Sequence, residues 1–324
     1  MLSQCIEANV RPYYESPAWL AGLVITALLT LTSTILSIWL ISQHFTHYSN
    51  AVLQRPITRI LLMVPIYSIC SLISYISIRN AVYINVIRDA YEGFVVYNFF
   101  SLFLEYLGPN QQVRLLKLSQ KVPHTMPPPA CCFMYDPRNV HFIGYCKLGV
   151  FQFVVVRLCT TVASLIMELF GVFCHGSMSM SHGNFYTTVA NGLSMGLAMF
   201  TLIAYYLPTK SFWLGLFVSI LVNSGFIYET KYWTIPEFSI FFQSFIVAIE
   251  MVIASIWHLK AFSIQKFVDG PFAPFSVAFW DSFIWLDLIH DFKTTIHYFA
   301  TYRHIDQSDT RGEFNESSPL VDRN

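Results

Sequence analysis

Seven long apolar segments restrict what this chain can fold into. At about 1.5 Å of helix rise per residue, each is long enough to cross most or all of a bilayer core about 30 Å thick. They are Ala18–Ile41, Ile57–Ile78, Ala81–Gly108, Ile143–Phe173, Thr187–Leu207, Phe212–Tyr228 and Pro236–Phe262. Backbone polar groups in lipid have to be hydrogen-bonded within the chain, which a helix achieves. The segments therefore predict an all-α polytopic membrane protein with a bundle of seven transmembrane helices.

Composition excludes a soluble enzyme and a nucleic-acid-binding protein. Of the 324 residues, 55% are hydrophobic and 12% are charged, about half the charge of an average soluble domain. The 19 basic residues balance 19 acidic ones, and no basic run suited to neutralising phosphates is present. None of the ten histidines lies in the middle of a predicted span, where a metal-dependent intramembrane enzyme would need ligands. We expect the lipid bilayer as partner, and neither nucleic acid, metal, cofactor nor enzymatic activity.

Basic residues near the ends of the spans predict the orientation. With an outside or lumenal N-terminus, fourteen Lys and Arg residues fall on the cytosolic side and only Arg11, Arg79 and Lys231 fall outside, as the positive-inside rule requires. The C-terminus is then cytosolic. The expected organisation is a short outside tail (1–17), a seven-helix membrane domain (18–268) with a cytosolic connector (109–142), a cytosolic amphipathic interfacial helix (269–304) and a disordered tail (305–324).

Seven ionisable side chains lie inside predicted spans, where each costs about 2.5–3.5 kcal/mol on insertion. They are Arg88, Asp89, Glu92, Glu105, Arg157, Glu168 and Glu250. Glu92, Arg157 and Glu250 each fall within about 6 Å of the middle of their segments, so that these three side chains could meet. Either Arg157 pairs with Glu92 or Glu250 to fix helix packing, or the charges line a path for a solute or an ion. The sequence leaves both interpretations open.

The fifth segment carries polar residues at helical spacing. They are Asn191, Ser194, Thr201 and Tyr205. Gly192 and Gly196 lie beside them, so the same helix face suits either close helix packing or contact with water. The residues that we take as a candidate solute path or charge network are Asp89, Glu92, Arg157, Asn191 and Glu250.

Three cysteines precede the fourth span on its predicted cytosolic side. Thiols in this position, here Cys131, Cys132 and Cys146, are candidates for S-palmitoylation. A zinc site is disfavoured because the paired C-x-x-C spacing is missing. Unmodified thiols are the remaining interpretation.

Several motifs follow one another in order between about Arg55 and Gln265. They include Asp89-x-x-Glu92-Gly-Phe94, Glu105-Tyr106-Leu107-Gly108, Cys146-Lys147-x-Gly149, Val156-Arg157-x-x-Thr160-Thr161, Asn191-Gly-Leu-Ser194 and His258-x-x-Ala261-Phe262-Ser263. In these motifs the chain resembles the organic solute transporter alpha and transmembrane protein 184 family. It departs from the family pattern at Leu158, where proline usually follows the arginine, and at Pro109, where a second glycine is usual.

The resemblance implies a fold and an activity. Members of the family are similar in having seven spans, an outside N-terminus and a cysteine-rich cytosolic region. The alpha transporter moves steroid-like and other amphipathic anions together with a single-span beta partner. The resemblance therefore implies a facilitative carrier of an organic or lipid-like solute. The expected partners are an organic anion or sterol-like solute and either a beta-type subunit or a second copy of the chain.

The alternative is a non-transporting membrane scaffold or a trafficking or signalling protein. No G-x-x-x-x-G-K-[ST] motif is present, so transport driven by ATP bound to this chain is not expected. The sequence does not distinguish an endomembrane (vacuole, Golgi or ER) from the plasma membrane.

Overall fold

A computed structural model describes residues 17–77, 80–121, 124–125, 134–139, 141–173, 180, 182–206, 235–284 and 286–297. The helices are α1 (Pro17–Thr46), α2 (Ala51–Leu61), α3 (Met63–Ile76), α4 (Ala81–Leu107), α5 (Gln111–Ser119), α6 (Phe142–Leu169), α7 (Gly183–Tyr206), α8 (Ile235–Ala261) and α9 (Phe275–Phe283). A short 3-10 helix, Ile264–Phe267, follows α8. Strands β1 (His124–Thr125) and β2 (Met134–Tyr135) form a small antiparallel pair within the predicted connector.

Helices of membrane-spanning length dominate the described residues. Four stretches are both long and apolar enough to cross a bilayer, namely Pro17–Thr46, Ala51–Ile76, Phe142–Leu169 and Phe241–Ala261. Helices α4 and α7 have 27 and 24 residues and carry the charged and polar groups of the site described below. The predicted all-α membrane architecture is thus confirmed at the level of its helices. The predicted sixth span, Phe212–Tyr228, lies outside the described residues.

The second span is broken into α2 and α3 at Leu62. It begins earlier than predicted, because Asn50 caps α2 by accepting a hydrogen bond from the Leu53 backbone N–H. Pro65 follows the break, and proline cannot donate to the carbonyl four residues before it. This loss of a helical hydrogen bond accounts for a bend in an otherwise continuous span.

The first, second and last described spans pack together through small hydroxyl side chains. Helix α3 contacts α1, α4 and α8, and α1 contacts α8. The Ser33 and Ser68 hydroxyls lie 2.9 Å apart, and Ser71 Oγ donates to the Ser244 carbonyl over 2.7 Å. We call Ser33, Ser68, Ser71 and Ser244 the hydroxyl seam. All four are buried, and small polar residues of this kind let membrane helices approach closely.

Helices α4, α6 and α7 follow this group one after another, each packing against the one before it. Helix α4 packs against α2 and α3, α6 packs against α4, and α7 packs against α6. This order places α4 and α6 side by side, which brings their mid-span charges together.

The C-terminal region differs from the single interfacial helix expected over 269–304. Helix α9 ends at Phe283, and residues 286–297 form a second helix in a separate unit. The start of α9 at Phe275 follows from Pro271 and Pro274, since proline disfavours helix in the residue before it. Gly270 adopts φ +154°, which also separates α9 from the preceding 3-10 helix.

Candidate solute site

An arginine and two acids meet where α4 packs against α6. Arg157 Nη2 on α6 donates to Asp89 Oδ1 over 3.0 Å and to Glu92 Oε2, both on α4. The helices come close because of Gly93, where an added Cβ would lie 3.3 Å from the Val154 Cα. One arginine thereby reaches two carboxylates that are three residues apart on one helix face.

A second arginine completes the group. Arg88 Nε lies 3.7 Å from Asp89 Oδ1, and the guanidinium carbon lies 6.0 Å from the centre of the Tyr67 ring on α3. Arg88, Asp89, Glu92 and Arg157 form the charge cluster. Two cations balance two anions, which lowers the cost of placing them within a membrane.

The charge cluster lies deep in the bundle but is not sealed. Glu92 and Arg157 lie within about 3 Å of the middle of their helices along the axis, at about 1.5 Å per residue. The side chains of Asp89 and Glu92 are each 26% exposed, and that of Arg157 is 15% exposed. Arg157 Nε is buried and makes no hydrogen bond within the described part of the chain. The carboxylates of the charge cluster are therefore partly open, whereas the Nε donor of Arg157 is enclosed.

Polar contacts continue from the charge cluster to α7. Thr160 Oγ1 contacts the Arg157 carbonyl at 3.0 Å and the Asn191 Oδ1 at 2.7 Å. Nearby, Ser194 Oγ donates to Gln152 Oε1 over 2.7 Å, and Gln152 Nε2 donates to the Ser194 carbonyl over 2.9 Å. Gln152, Thr160, Asn191 and Ser194 form the polar track, which continues the charge cluster from α4 and α6 to α7 near mid-depth.

Glycine also sets the contact between α6 and α7. A Cβ added at Gly149 would lie 2.4 Å from Thr201 Cγ2, whereas one added at Gly192 would meet nothing within 4 Å. Gly149 therefore allows the close approach. The stripe predicted on the fifth span is divided accordingly, since Asn191 and Ser194 bond to α6 and Thr201 packs on Gly149.

Glu250 does not join the charge cluster. It lies on α8, which packs on α1 and α3, and its Oε1 is buried without a hydrogen bond from the described residues. Of the two pairings that depth allowed for Arg157, the structure forms the one with Glu92 and adds Asp89. Among the peripheral acids, Glu105 pairs with Arg114 over 2.6 Å near the end of α4.

The structure describes one of the three predicted lipidation positions, Cys146. Cys131 and Cys132 lie outside the described residues. Cys146 lies in the first turns of α6 and is 4% exposed, so its thiol faces the protein interior instead of the membrane–water boundary. A prediction of acylation therefore depends on Cys131 and Cys132.

Sequence reasoning missed three neutral residues, one beside the charge cluster and two in the polar track. Tyr67, Gln152 and Thr160 carry no charge and were not selected. Gln152 had a usable signal, because an amide within an apolar span needs hydrogen-bond partners there. Nothing in the sequence placed the Tyr67 ring beside Arg88.

The match to known proteins covers most of α1 and all of α2 to α8. The family model for organic solute transporter Ostalpha matches residues 22–211 and 209–267. The match includes every residue of the charge cluster and of the polar track. No solved structure matches the chain. The chain is a multi-pass membrane protein that belongs to the organic solute transporter Ostalpha family.

Proposed function

We propose that this protein is a facilitative carrier of an organic or lipid-like solute, with a path along α4, α6 and α7. The observation that carries the proposal is the partly exposed charge cluster at mid-depth, joined to α7 through Thr160 and Asn191. Charges that served packing alone would be expected to be fully enclosed, since each is expensive in lipid. Partial exposure leaves room for a solute to exchange with them.

The cluster suits an amphipathic solute such as an organic anion or a sterol conjugate. The Arg157 side chain is 15% exposed and would bind an acidic group there, while Asp89 and Glu92 hold the guanidinium in place. Glu250 lies on α8, which packs on α1 and α3, and remains a candidate for a polar position apart from this path.

The proposed topology has seven spans, an outside or lumenal N-terminus and a cytosolic C-terminus. Its support is the distribution of basic residues in the sequence. Tags at the two termini would test it in sealed vesicles with the cytosolic face outward. Protease should remove the C-terminal tag and spare the N-terminal tag, and the reverse result would contradict the orientation.

The proposed assembly includes a single-span beta-type subunit or a second copy of the chain. Family membership is its support. We therefore expect that reconstituted transport needs either this chain alone as an oligomer or a co-expressed single-span partner, and transport assays should include both preparations.

The proposed path can be tested by removing one charge within it and one outside it. Glu92→Gln keeps the size and hydrogen-bonding capacity of the side chain but removes its charge from the Arg157 contact. Glu105→Gln is the matched control, because Glu105 lies on the same helix but pairs with Arg114 near its end. In proteoliposomes, saturable uptake of a labelled sterol sulfate should fall for Glu92→Gln and persist for Glu105→Gln.

Two results would contradict the proposal. Equal saturable uptake by both variants would show that the path avoids the charge cluster. No saturable uptake of any amphipathic anion by the folded wild type, with or without a single-span partner, would contradict the carrier function and favour a scaffold.

A further inference from the structure

One face of α1 shows where the membrane ends. Apolar side chains spaced three or four residues apart are exposed along its length, and Trp39 adjoins the last of them; these residues are Leu20, Val24, Leu28, Leu31, Ile35, Ile38 and Trp39. The stretch from Leu20 to Trp39 rises about 28 Å at about 1.5 Å per residue, which matches a hydrocarbon core of about 30 Å. The last turn of α1, which ends at Thr46, therefore lies at the level of the lipid headgroups.

Helix α9 packs on this last turn. The buried Phe45 ring of α1 contacts Phe275 and Phe279 edge-on, with ring centroids 5.4 and 6.0 Å apart. Helix α9 consequently lies about 9 Å beyond Trp39, the end of the exposed apolar row on α1, at the level of the headgroups. Its surface continues a face that has to contact lipid.

Polar contacts fix the inner face of α9 to the bundle. Asp281 accepts hydrogen bonds from Arg55 Nη2 over 2.7 Å, from Arg55 Nε over 3.1 Å and from the Tyr48 hydroxyl over 2.6 Å. Arg59 Nε donates to the Ser282 carbonyl over 2.9 Å. Burial, together with the Asp281 carboxylate, raises the pKa of Tyr48 well above its ordinary value, so that the phenol stays protonated and donating.

The opposite face of α9 is apolar and open. Trp280 is 67% exposed, and Val277 and Phe283 are exposed beside it. The one charged residue of the helix, Asp281, is already paired with Arg55. An outward face of large apolar side chains without a free charge is unsuited to water, whereas Trp and Phe favour the membrane interface.

We propose that α9 is a membrane-interface helix whose outer face, centred on Trp280, inserts into the leaflet at which α1 ends. Three observations support this proposal: the level set by the exposed row on α1, the packing of α9 on Phe45, and the uncharged aromatic outer face. The occupant of this face is lipid, and Asp281 holds the helix against α2 while its outer side chains enter the acyl-chain boundary.

Fluorescence quenching by brominated lipids tests the proposal on the full chain in vesicles. The contribution of Trp280 is the difference in emission between the wild type and Trp280→Phe, a substitution that keeps an aromatic ring at an exposed position. Trp39→Phe is the matched control, because Trp39 is also exposed and ends the row on α1. We expect Trp280 to lose most emission with bromine near the headgroup end of the chains and little with aqueous iodide. The Trp39 signal should be quenched by bromine placed deeper.

Two outcomes would overturn the proposal. Strong quenching of the Trp280 signal by iodide, without quenching by bromine, would place α9 in water. A Trp280 signal shielded from both quenchers, together with crosslinked dimers, would assign the face to a second copy of the chain. Size-exclusion profiles of both variants that match the wild type would show that the difference signals come from folded protein.

Discussion

The hydroxyl seam and the charge cluster are both polar regions within the helix bundle, but they differ in cost and in access. The hydroxyl seam joins α1, α3 and α8 through neutral serines that are all buried. The charge cluster joins α4 and α6 through two arginines and two acids, and these acids remain about a quarter exposed. A serine hydroxyl enters lipid at small cost, whereas a charge requires a partner.

The difference in cost and exposure between the hydroxyl seam and the charge cluster indicates that helix packing does not account for both. Serines achieve close helix contact without charge, so helix association alone does not explain two arginines and two acids in the other half of the bundle. What the charges add is an electrostatic field at mid-depth and a partly exposed polar surface. We therefore propose that the hydroxyl seam serves packing and the charge cluster serves solute contact, and the following substitutions test that proposal.

The largest expected effect is on the charge cluster itself. Arg157→Met should lower the free energy of unfolding by about 3–5 kcal/mol, because Asp89 and Glu92 lose the cation between them. Chemical unfolding in mixed micelles measures this change. Arg138→Met is the control, since Arg138 pairs with Asp136 on an exposed loop, and it should leave the unfolding curve unchanged.

A double substitution shows whether the loss comes from the pair. Adding Glu92→Gln to Arg157→Met removes one uncompensated carboxylate and should recover part of the lost stability, because contacting residues are energetically coupled. Strict additivity of the two single effects would mean that Arg157 and Glu92 do not stabilise each other.

An intermediate effect is expected at the contact that extends the polar track to α7. Gly149→Ala should cost about 1–3 kcal/mol by overpacking, because the new methyl group collides with Thr201. Gly192→Ala adds the same methyl group to α7 in open space and should be neutral or slightly stabilising, since alanine favours helix. Thermal unfolding of the two variants side by side would separate close packing from helix propensity. Equal behaviour would contradict the close α6–α7 contact.

For the mid-span charged residues, the sequence predicted how deep each lies in its span but not which residues it contacts. Hydropathy and helix rise placed Glu92, Arg157 and Glu250 at mid-span, since depth follows from position along a segment. Which helices lie side by side depends on packing between distant segments, and this decided that Arg157 contacts Glu92 and Asp89 while Glu250 stays on α8. The sequence shows that glycine occurs at 93 and 149. It does not show that Gly93 lies where α4 meets α6, or that Gly149 lies where α6 meets α7.

Local signals explain the other differences. The break at Leu62 follows from Pro65, and the start of α9 follows from Pro274, both visible in the sequence. The pairing of Asp281 with Arg55 was not, because it joins residues more than two hundred positions apart. An amphipathic pattern predicted a surface helix near the C-terminus but could not show what holds it to the bundle.

The smallest expected effect is on the hydroxyl seam, and it separates the two regions most directly. Ser68→Ala removes the contact with Ser33, and a single interhelical hydrogen bond of this kind contributes about 0.6 kcal/mol on average. Asn191→Ala removes the acceptor for Thr160 and should cost a similarly small amount. If the hydroxyl seam serves packing and the polar track serves transport, Ser68→Ala should leave saturable uptake unchanged while Asn191→Ala lowers it. The two variants should be matched in stability, so a difference in uptake would not come from unfolding. Loss of uptake in both variants would contradict the division between packing and transport. Loss in Ser68→Ala alone would place solute contact between α1 and α3.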